Sequence, residues 1–319
     1  MKYKVLVTRP IPEEGLVELE KHCQILMPPK EGPYYTREKI LDLAKDIDAV
    51  IVVGDKIDEE FLDNANKLKV ISAYSVGYDN VDISAATKRG IPVTNLPEAV
   101  TESTAELTFA LMLAVSRRLI EADHYIRKEN DRRWYPFLLM SHELFEKKLG
   151  IIGLGRVGQS VARRAEAFGM QVYYYDTVKK DTFAQYLPFR ELISSVDYLS
   201  LHVPYYKDTH HLLAKIEFQA MKNSAYLINA SRGPVINESD LVQALQEKEI
   251  AGAGLDVYEK EPEVTPELMQ FSNVVLTPHI GTGTAETRIK MALESSDNTL
   301  KILKGEVPKH IVNEADLNL

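Results

Sequence analysis

The chain has 319 residues, 45% of them hydrophobic, and a formal net charge of −9. This length can bury a substantial core and slightly exceeds what one core usually supports, so two domains are expected; the scattered acids leave no basic face for nucleic acid or an anionic membrane. Cys23 is the only cysteine, which excludes intrachain disulfides, leaves cysteine-based metal clusters and CxxC redox chemistry without ligands, and points to a reducing, cytoplasmic setting with no metal.

Lys4-Val5-Leu6-Val7 is a very short apolar run closed by Arg9-Pro10, so it reads as a first strand rather than a targeting segment. Further β-branched runs follow at 49–53, 70–73 and 91–93, with candidate helices at 13–21, 36–44 and 83–88 between them. Such alternation predicts βαβ units on a parallel sheet. Ser103 and Glu106 form a capping-box pattern ahead of Leu107, Leu111, Ala114 and Leu119, predicting a helix over 103–119 that bridges two domains. Its apolar stretch falls far short of the roughly 20 residues a membrane span needs. Residues 130–148, with Trp134-Tyr135-Pro136, have weak periodicity and read as an extended arm. A second βα series starts at 150–152 and continues at 172–175, 198–201, 225–228, 251–257 and 273–276; a long helix is expected over 285–304, with a tail too short for a regulatory domain.

Gly153-Leu154-Gly155-Arg156-Val157-Gly158 follows an apolar strand and opens a helix with Val157, Val161, Ala165 and Phe168 on one face and Gly169 as its stop. In that context a Gly-x-Gly-x-x-Gly loop brings backbone amides and a helix N-terminus to a pyrophosphate. Asp176 lies 18 residues beyond Gly158 at the end of the next strand, where a carboxylate holds adenosine ribose hydroxyls.

Other candidates also fall at strand ends, where open α/β sheets bind ligands. Arg232, in Asn229-Ala230-Ser231-Arg232-Gly233, either grips a carboxylate bidentately or pairs with a nearby acid. Asp256 either meets a nicotinamide carboxamide or, like Glu261, caps a loop. His279, in Pro278-His279-Ile280-Gly281, either exchanges a proton near neutral pH or is structural. His202 and the adjoining Val203 read as a wall of the cofactor site, and His210-His211 as loop residues. Ser75-Val76-Gly77 is either a plain turn or a turn whose Gly77 amide faces an anion.

Taken in order, Gly153 to Gly158, Asp176, Asn229 to Gly233, Gly254 to Val257, Glu261-Pro262 and Pro278 to Gly281 resemble the D-isomer-specific 2-hydroxyacid dehydrogenase family over nearly the whole chain. The resemblance implies an α/β protein of two doubly wound parallel-sheet domains. One is a Rossmann cofactor domain, 99–287; the other is a flavodoxin-like, discontinuous substrate domain, 1–98 with 288–319. It implies Arg232, Glu261 and His279 as the catalytic set, with Glu261 orienting the imidazole and His279 as general acid/base. It implies cofactor contacts at Gly153, Gly155, Arg156, Val157, Gly158, Asp176, His202, Val203, Ala230, Ser231, Arg232, Asp256, His279 and Gly281, and substrate contacts at Ser75, Val76, Gly77 and Arg232.

The cofactor implied is NAD (NADH), with NADP disfavoured by Asp176, and the partner a small 2-oxo or 2-hydroxy acid. The arm and helix 103–119 imply a homodimer by analogy. Within the family, Ser75 to Asn80 and Trp134-Tyr135-Pro136 are most similar to glyoxylate and hydroxypyruvate reductases, whereas formate dehydrogenases carry glutamine where Glu261 stands. An alternative of another class is an NAD(H)-sensing binding protein of the same fold with weak or no turnover.

Overall fold

The computed structural model describes residues 2–128 and 133–317. The chain divides into two compact units, Met1–Val100 with Thr282–Leu319, and Thr101–Gly281.

In the first unit β1 (Tyr3–Val7), α1 (Val17–His22), β2 (Cys23–Leu26), α2 (Arg37–Ala44), β3 (Ala49–Val52), α3 (Glu59–Asn64), β4 (Val70–Ala73), α4 (Ile83–Lys88) and β5 (Val93–Thr94) succeed one another. The strands pair in parallel in the order β2-β1-β3-β4-β5, the flavodoxin-like winding. Helices α2, α3 and α4 start where the side chains of Thr36, Asp58 and Asp82 accept amide protons three residues on. Both faces of the sheet are covered, so its strands are apolar throughout rather than alternating. Leu6, Val50, Ile71 and Val93 pack with Ile40, Phe61 and Ala85 on one face. Val5, Val7, Ile51 and Val70 pack on the other with Met291, Ala292, Leu300 and Leu303.

In the second unit come α5 (Thr101–Ser116), α6 (Leu119–Lys128), β6 (Lys148–Ile152), α7 (Arg156–Ala167), β7 (Gln171–Tyr175), β8 (Gln185–Tyr186), α8 (Phe189–Ser195), β9 (Tyr198–Leu201), α9 (Lys215–Ala220), β10 (Tyr226–Asn229), α10 (Glu238–Gln246), β11 (Gly252–Leu255) and β12 (Val274–Leu276). The chain then returns to the first unit as α11 (Ala285–Leu303). The parallel order β12-β11-β10-β9-β6-β7-β8 reverses direction between β6 and β9, the switch point at which a Rossmann fold binds its dinucleotide. The two expected doubly wound α/β architectures are therefore both present.

Local departures have physical causes. Helix α5 begins at Thr101, so Ser103 is a buried residue of its first turn and not a cap. The predicted continuous helix to Leu119 breaks at Arg118, whose φ of 52° is left-handed, and α6 starts afresh beyond it; α5 lies wholly in the second unit. Strands β2 and β8 have no counterpart in the sequence reading. Of the expected arm, residues 130–132 lie outside the described residues, 133–147 form turns and irregular chain, and Lys148 already opens β6. Among the described residues no helix is long and apolar enough to cross a membrane.

Candidate active site

At the carboxyl end of β6 the chain turns at Gly153 with φ 90°. A Cβ there would stand 2.7 Å from the His202 carbonyl oxygen and 2.9 Å from a Val203 methyl, so only glycine lets the loop lie against the end of β9. Helix α7 follows with Gly155 as N-cap, and a Cβ on Gly155 would meet nothing within 4 Å. Arg156 is exposed, Val157 half-buried and Gly158 buried. Open space beside a helix N-terminus suits a pyrophosphate. Asp176 stands at the end of β7, where its Oδ2 accepts the Leu154 amide at 2.9 Å. The residues present thus fit a dinucleotide at both its phosphates and its ribose.

His202 Nε2 is hydrogen-bonded to Ser200 Oγ at 2.8 Å, and burial pushes its imidazole down to about 4. It is a neutral ring across the physiological range and does not carry a proton there.

Beyond β10, Asn229 builds the next turn. Its Oδ1 accepts both the amide and the hydroxyl of Ser231, at 3.0 and 2.8 Å, and its Nδ2 donates to the Arg232 carbonyl at 3.0 Å. Ala230, Ser231 and Arg232 are half-buried, and Arg232 Nη1 donates to the Ser231 carbonyl at 2.7 Å. This carboxamide was missed from sequence, although an asparagine at a strand end that bonds two residues on is a known turn signal.

Asp256, fully buried at the end of β11, shapes the loop that carries the histidine. Its Oδ1 accepts the Thr277 hydroxyl at 2.6 Å and the Ile280 amide at 2.8 Å, and its Oδ2 accepts the Gly281 amide at 2.8 Å. Between those donors His279 takes a left-handed φ of 53°, with its own amide donating to the Asp256 carbonyl at 2.9 Å. Such a conformation in a residue with a Cβ persists only where its surroundings hold it.

His279 Nδ1 donates to Glu261 Oε2 at 2.7 Å. Glu261 Oε1 accepts the Tyr258 amide at 3.1 Å, and the Tyr258 hydroxyl donates to the Thr277 carbonyl at 2.9 Å. Tyr258, not anticipated from sequence, therefore ties the glutamate segment to the histidine segment. Burial alone would raise the Glu261 carboxyl, but the bond and charge of His279, the Tyr258 amide and the Arg232 charge outweigh it and hold Glu261 below its ordinary value. The second unit thus brings Arg232, Glu261 and His279 into one electrostatic group.

Ser75, Val76 and Gly77 belong to the first unit, in the loop after β4. All three of their carbonyls accept hydrogen bonds, from the Leu96 amide, Asn95 Nδ2 and Ser75 Oγ respectively.

A doubly wound sheet with a glycine-rich turn after β6 at its switch point, and an acid-oriented imidazole after β12 four strands away, defines a nicotinamide-nucleotide oxidoreductase. Comparisons with known proteins narrow the class. Residues 109–281 match the NAD-binding domain of the D-isomer specific 2-hydroxyacid dehydrogenases. A glyoxylate reductase of Thermococcus litoralis is 46% identical, with 98% of each chain covered.

Among solved structures, a Thermus thermophilus protein superposes with a TM-score of 0.93 at 41% identity, covering 97% of this chain and 99% of that one. An NADPH-dependent glyoxylate/hydroxypyruvate reductase of Sinorhizobium meliloti, solved with NADP and malonate, gives 0.87 at 30% identity, covering 99% and 98%. A D-lactate dehydrogenase of Aquifex aeolicus, solved with NAD and lactic acid, gives 0.84 at 31%, covering 97% and 98%. The chain belongs to the D-isomer-specific 2-hydroxyacid dehydrogenase family. It is a nicotinamide-dependent dehydrogenase interconverting 2-oxo and 2-hydroxy acids.

Proposed function

We propose that this enzyme reduces glyoxylate, hydroxypyruvate or a similarly small 2-oxo acid with NADH, using Arg232, Glu261 and His279. The observation that carries the reading is the 2.7 Å bond from His279 Nδ1 to Glu261 Oε2. It commits Nδ1 to the carboxylate and leaves Nε2 to exchange a proton with substrate.

A reduced nicotinamide held by the glycine-rich turn and Asp176 would supply hydride at the substrate C2. As that carbonyl oxygen gains charge, His279 donates its Nε2 proton to it, and the product leaves as a hydroxy acid. Glu261 stabilises the imidazolium and fixes its plane, while the Arg232 guanidinium binds the substrate carboxylate and polarises the carbonyl. In oxidation the neutral imidazole takes the proton back. The Ser75-Val76-Gly77 loop is assigned a further contact to the substrate carboxylate through its amides.

NAD is assigned over NADP because a carboxylate at Asp176 accepts ribose hydroxyls and repels a 2′-phosphate. Gly153, Gly155, Arg156, Val157 and Gly158 are assigned to the pyrophosphate, and His202, Val203, Ala230, Ser231, Asp256 and Gly281 to the remaining cofactor contacts. A cytoplasmic homodimer is proposed. Its support is the apolar surface of Leu119, Ile120 and Ile126 on α6 with Trp134 and Phe137, the last two 84% and 76% exposed. No observation favours the NAD(H)-sensing alternative.

The deciding experiment is steady-state NADH oxidation by purified protein with glyoxylate, hydroxypyruvate, pyruvate and branched or aromatic 2-oxo acids. Glyoxylate and hydroxypyruvate are expected to give the highest kcat/KM, and a clear preference for aromatic acids would refute the assignment.

A further inference from the structure

We propose that His211, Glu238 and Glu259 form a clasp that positions Glu261 against His279, making Glu259 a positioning residue that acts through Glu261. The inference rests on the reading of Glu261 and His279 as the proton-transferring pair.

Helix α10 begins at Glu238, whose amide is one of the donors a helix start leaves without a helical partner. That amide donates to Glu259 Oε2 at 3.1 Å, and in return the Glu259 amide donates to Glu238 Oε1 at 2.7 Å. Each acid thus holds the other's backbone. The Thr265 hydroxyl donates to Glu238 Oε2, closing the far end of the same segment. The remaining Glu259 oxygen, Oε1, accepts from His211 Nε2 at 2.9 Å, and the His211 amide donates to the Pro234 carbonyl at 2.9 Å.

Three stretches are joined in this way: the turn at His211, the Arg232 turn leading into α10, and the segment from Tyr258 to Thr265. Burial pushes the Glu259 carboxyl up, but the Glu238 amide and His211 hold it below its ordinary value, so the clasp operates with an ionised acid.

The clasp is more than packing because of where Glu261 sits. Tyr258 is buried, whereas Lys260, Pro262 and Glu263 are exposed, so the glutamate rides on an excursion away from the core. The footing of that excursion is the Glu238 bond to Glu259 at one end and to Thr265 at the other. The same footing lies against the Arg232 turn, since a Cβ on Gly233 would fall 1.8 Å from the Tyr258 carbonyl oxygen. Loosening Glu259 therefore shifts Glu261 relative to both His279 and Arg232, and proton transfer is sensitive to displacements of an ångström or less.

The test is a double-mutant cycle read by single-turnover hydride transfer from NADH to glyoxylate, using the whole enzyme. Glu259→Ala is expected to slow transfer by roughly tenfold or more with NADH affinity unchanged. Combined with Glu261→Gln it should be no slower than Glu261→Gln alone. Glu259→Gln, whose amide keeps an acceptor for Glu238 and donates to His211 Nε2 once that ring takes its other neutral tautomer, should recover most of the rate. A native rate in Glu259→Ala, or losses that multiply in the double variant, would overturn the clasp. A native rate in Glu261→Gln would instead overturn the underlying reading of the pair. If Glu259→Ala does not fold, His211→Ala takes its place in the cycle with the same expected non-additivity.

Discussion

Lys180 Nζ lies 3.8 Å from Asp176 Oδ2, the oxygen that also accepts the Leu154 amide. One carboxylate thus shapes the glycine-rich loop while a cation partly offsets its charge toward an approaching phosphate.

The expected outcome is a preference for NADH over NADPH that depends on both residues. Asp176→Asn keeps an acceptor for Leu154 and removes the charge, so the ratio of kcat/KM values should fall by roughly tenfold. Lys180→Ala should raise it. Equal or better efficiency of the native enzyme with NADPH would reject the assignment.

Glu261 is held below its ordinary value, so it stays ionised through the neutral range in which an imidazole titrates. Glu261→Gln removes that counter-charge and destabilises the imidazolium. Reduction needs the protonated ring, so its basic limb should move to lower pH; oxidation needs the neutral ring, so its acidic limb should move the same way. The lowered carboxyl also makes the pair a source of stability above the unfolded glutamate value, lost as pH falls through the folded one. Single-turnover rates against pH give the answer, and limbs that stay in place would separate Glu261 from His279.

Arg232→Lys keeps the charge but loses the planar fork and the contact to the Ser231 carbonyl. A loss of about 2–4 kcal/mol in transition-state stabilisation is expected, in both kcat and KM. Unchanged kinetics with every 2-oxo acid tried would remove Arg232 from the site.

Asp256→Asn confronts three donors with one acceptor oxygen and an NH2 group. Each bond to a charged acceptor contributes about 1.5–3 kcal/mol, so equilibrium denaturation should show a loss of roughly 2–4 kcal/mol, with reduced kcat as the left-handed His279 is released. An unaltered midpoint would show that the carboxylate does not hold the loop.

Much of this was legible because it is local. The glycine spacing, Asp176 at a strand end and Gly169 closing α7 each depend on a few neighbouring residues. Strand β2 was not legible because it starts at Cys23, directly after the last helical residue His22, with no glycine or proline between them. Arg118 breaks the helix without either punctuating residue. His211, which follows β9, and Glu259, which follows β11 48 positions later, meet only once both strands have paired with β10, and no pattern along the chain announces such a pair. Asp256 was anticipated as a ligand contact, but its burial and three donors emerge only when the strand end is folded against the Thr277 to Gly281 turn.

The first unit is sealed by residues that the ribosome makes only after the whole of the second unit. Helix α11 carries Met291, Ala292, Leu300 and Leu303 into the core beside Val5 and Val7, and Ala292 Cβ would stand 2.2 Å from a Cβ on Gly15. Residues 101–281 are contiguous and can complete their core during synthesis, whereas the earlier strands must wait with one face uncovered. The nascent chain is therefore expected to bind hydrophobic-sensing chaperones through its N-terminal sheet until α11 emerges, and pulse proteolysis of stalled chains should find the middle of the sequence protected before its beginning.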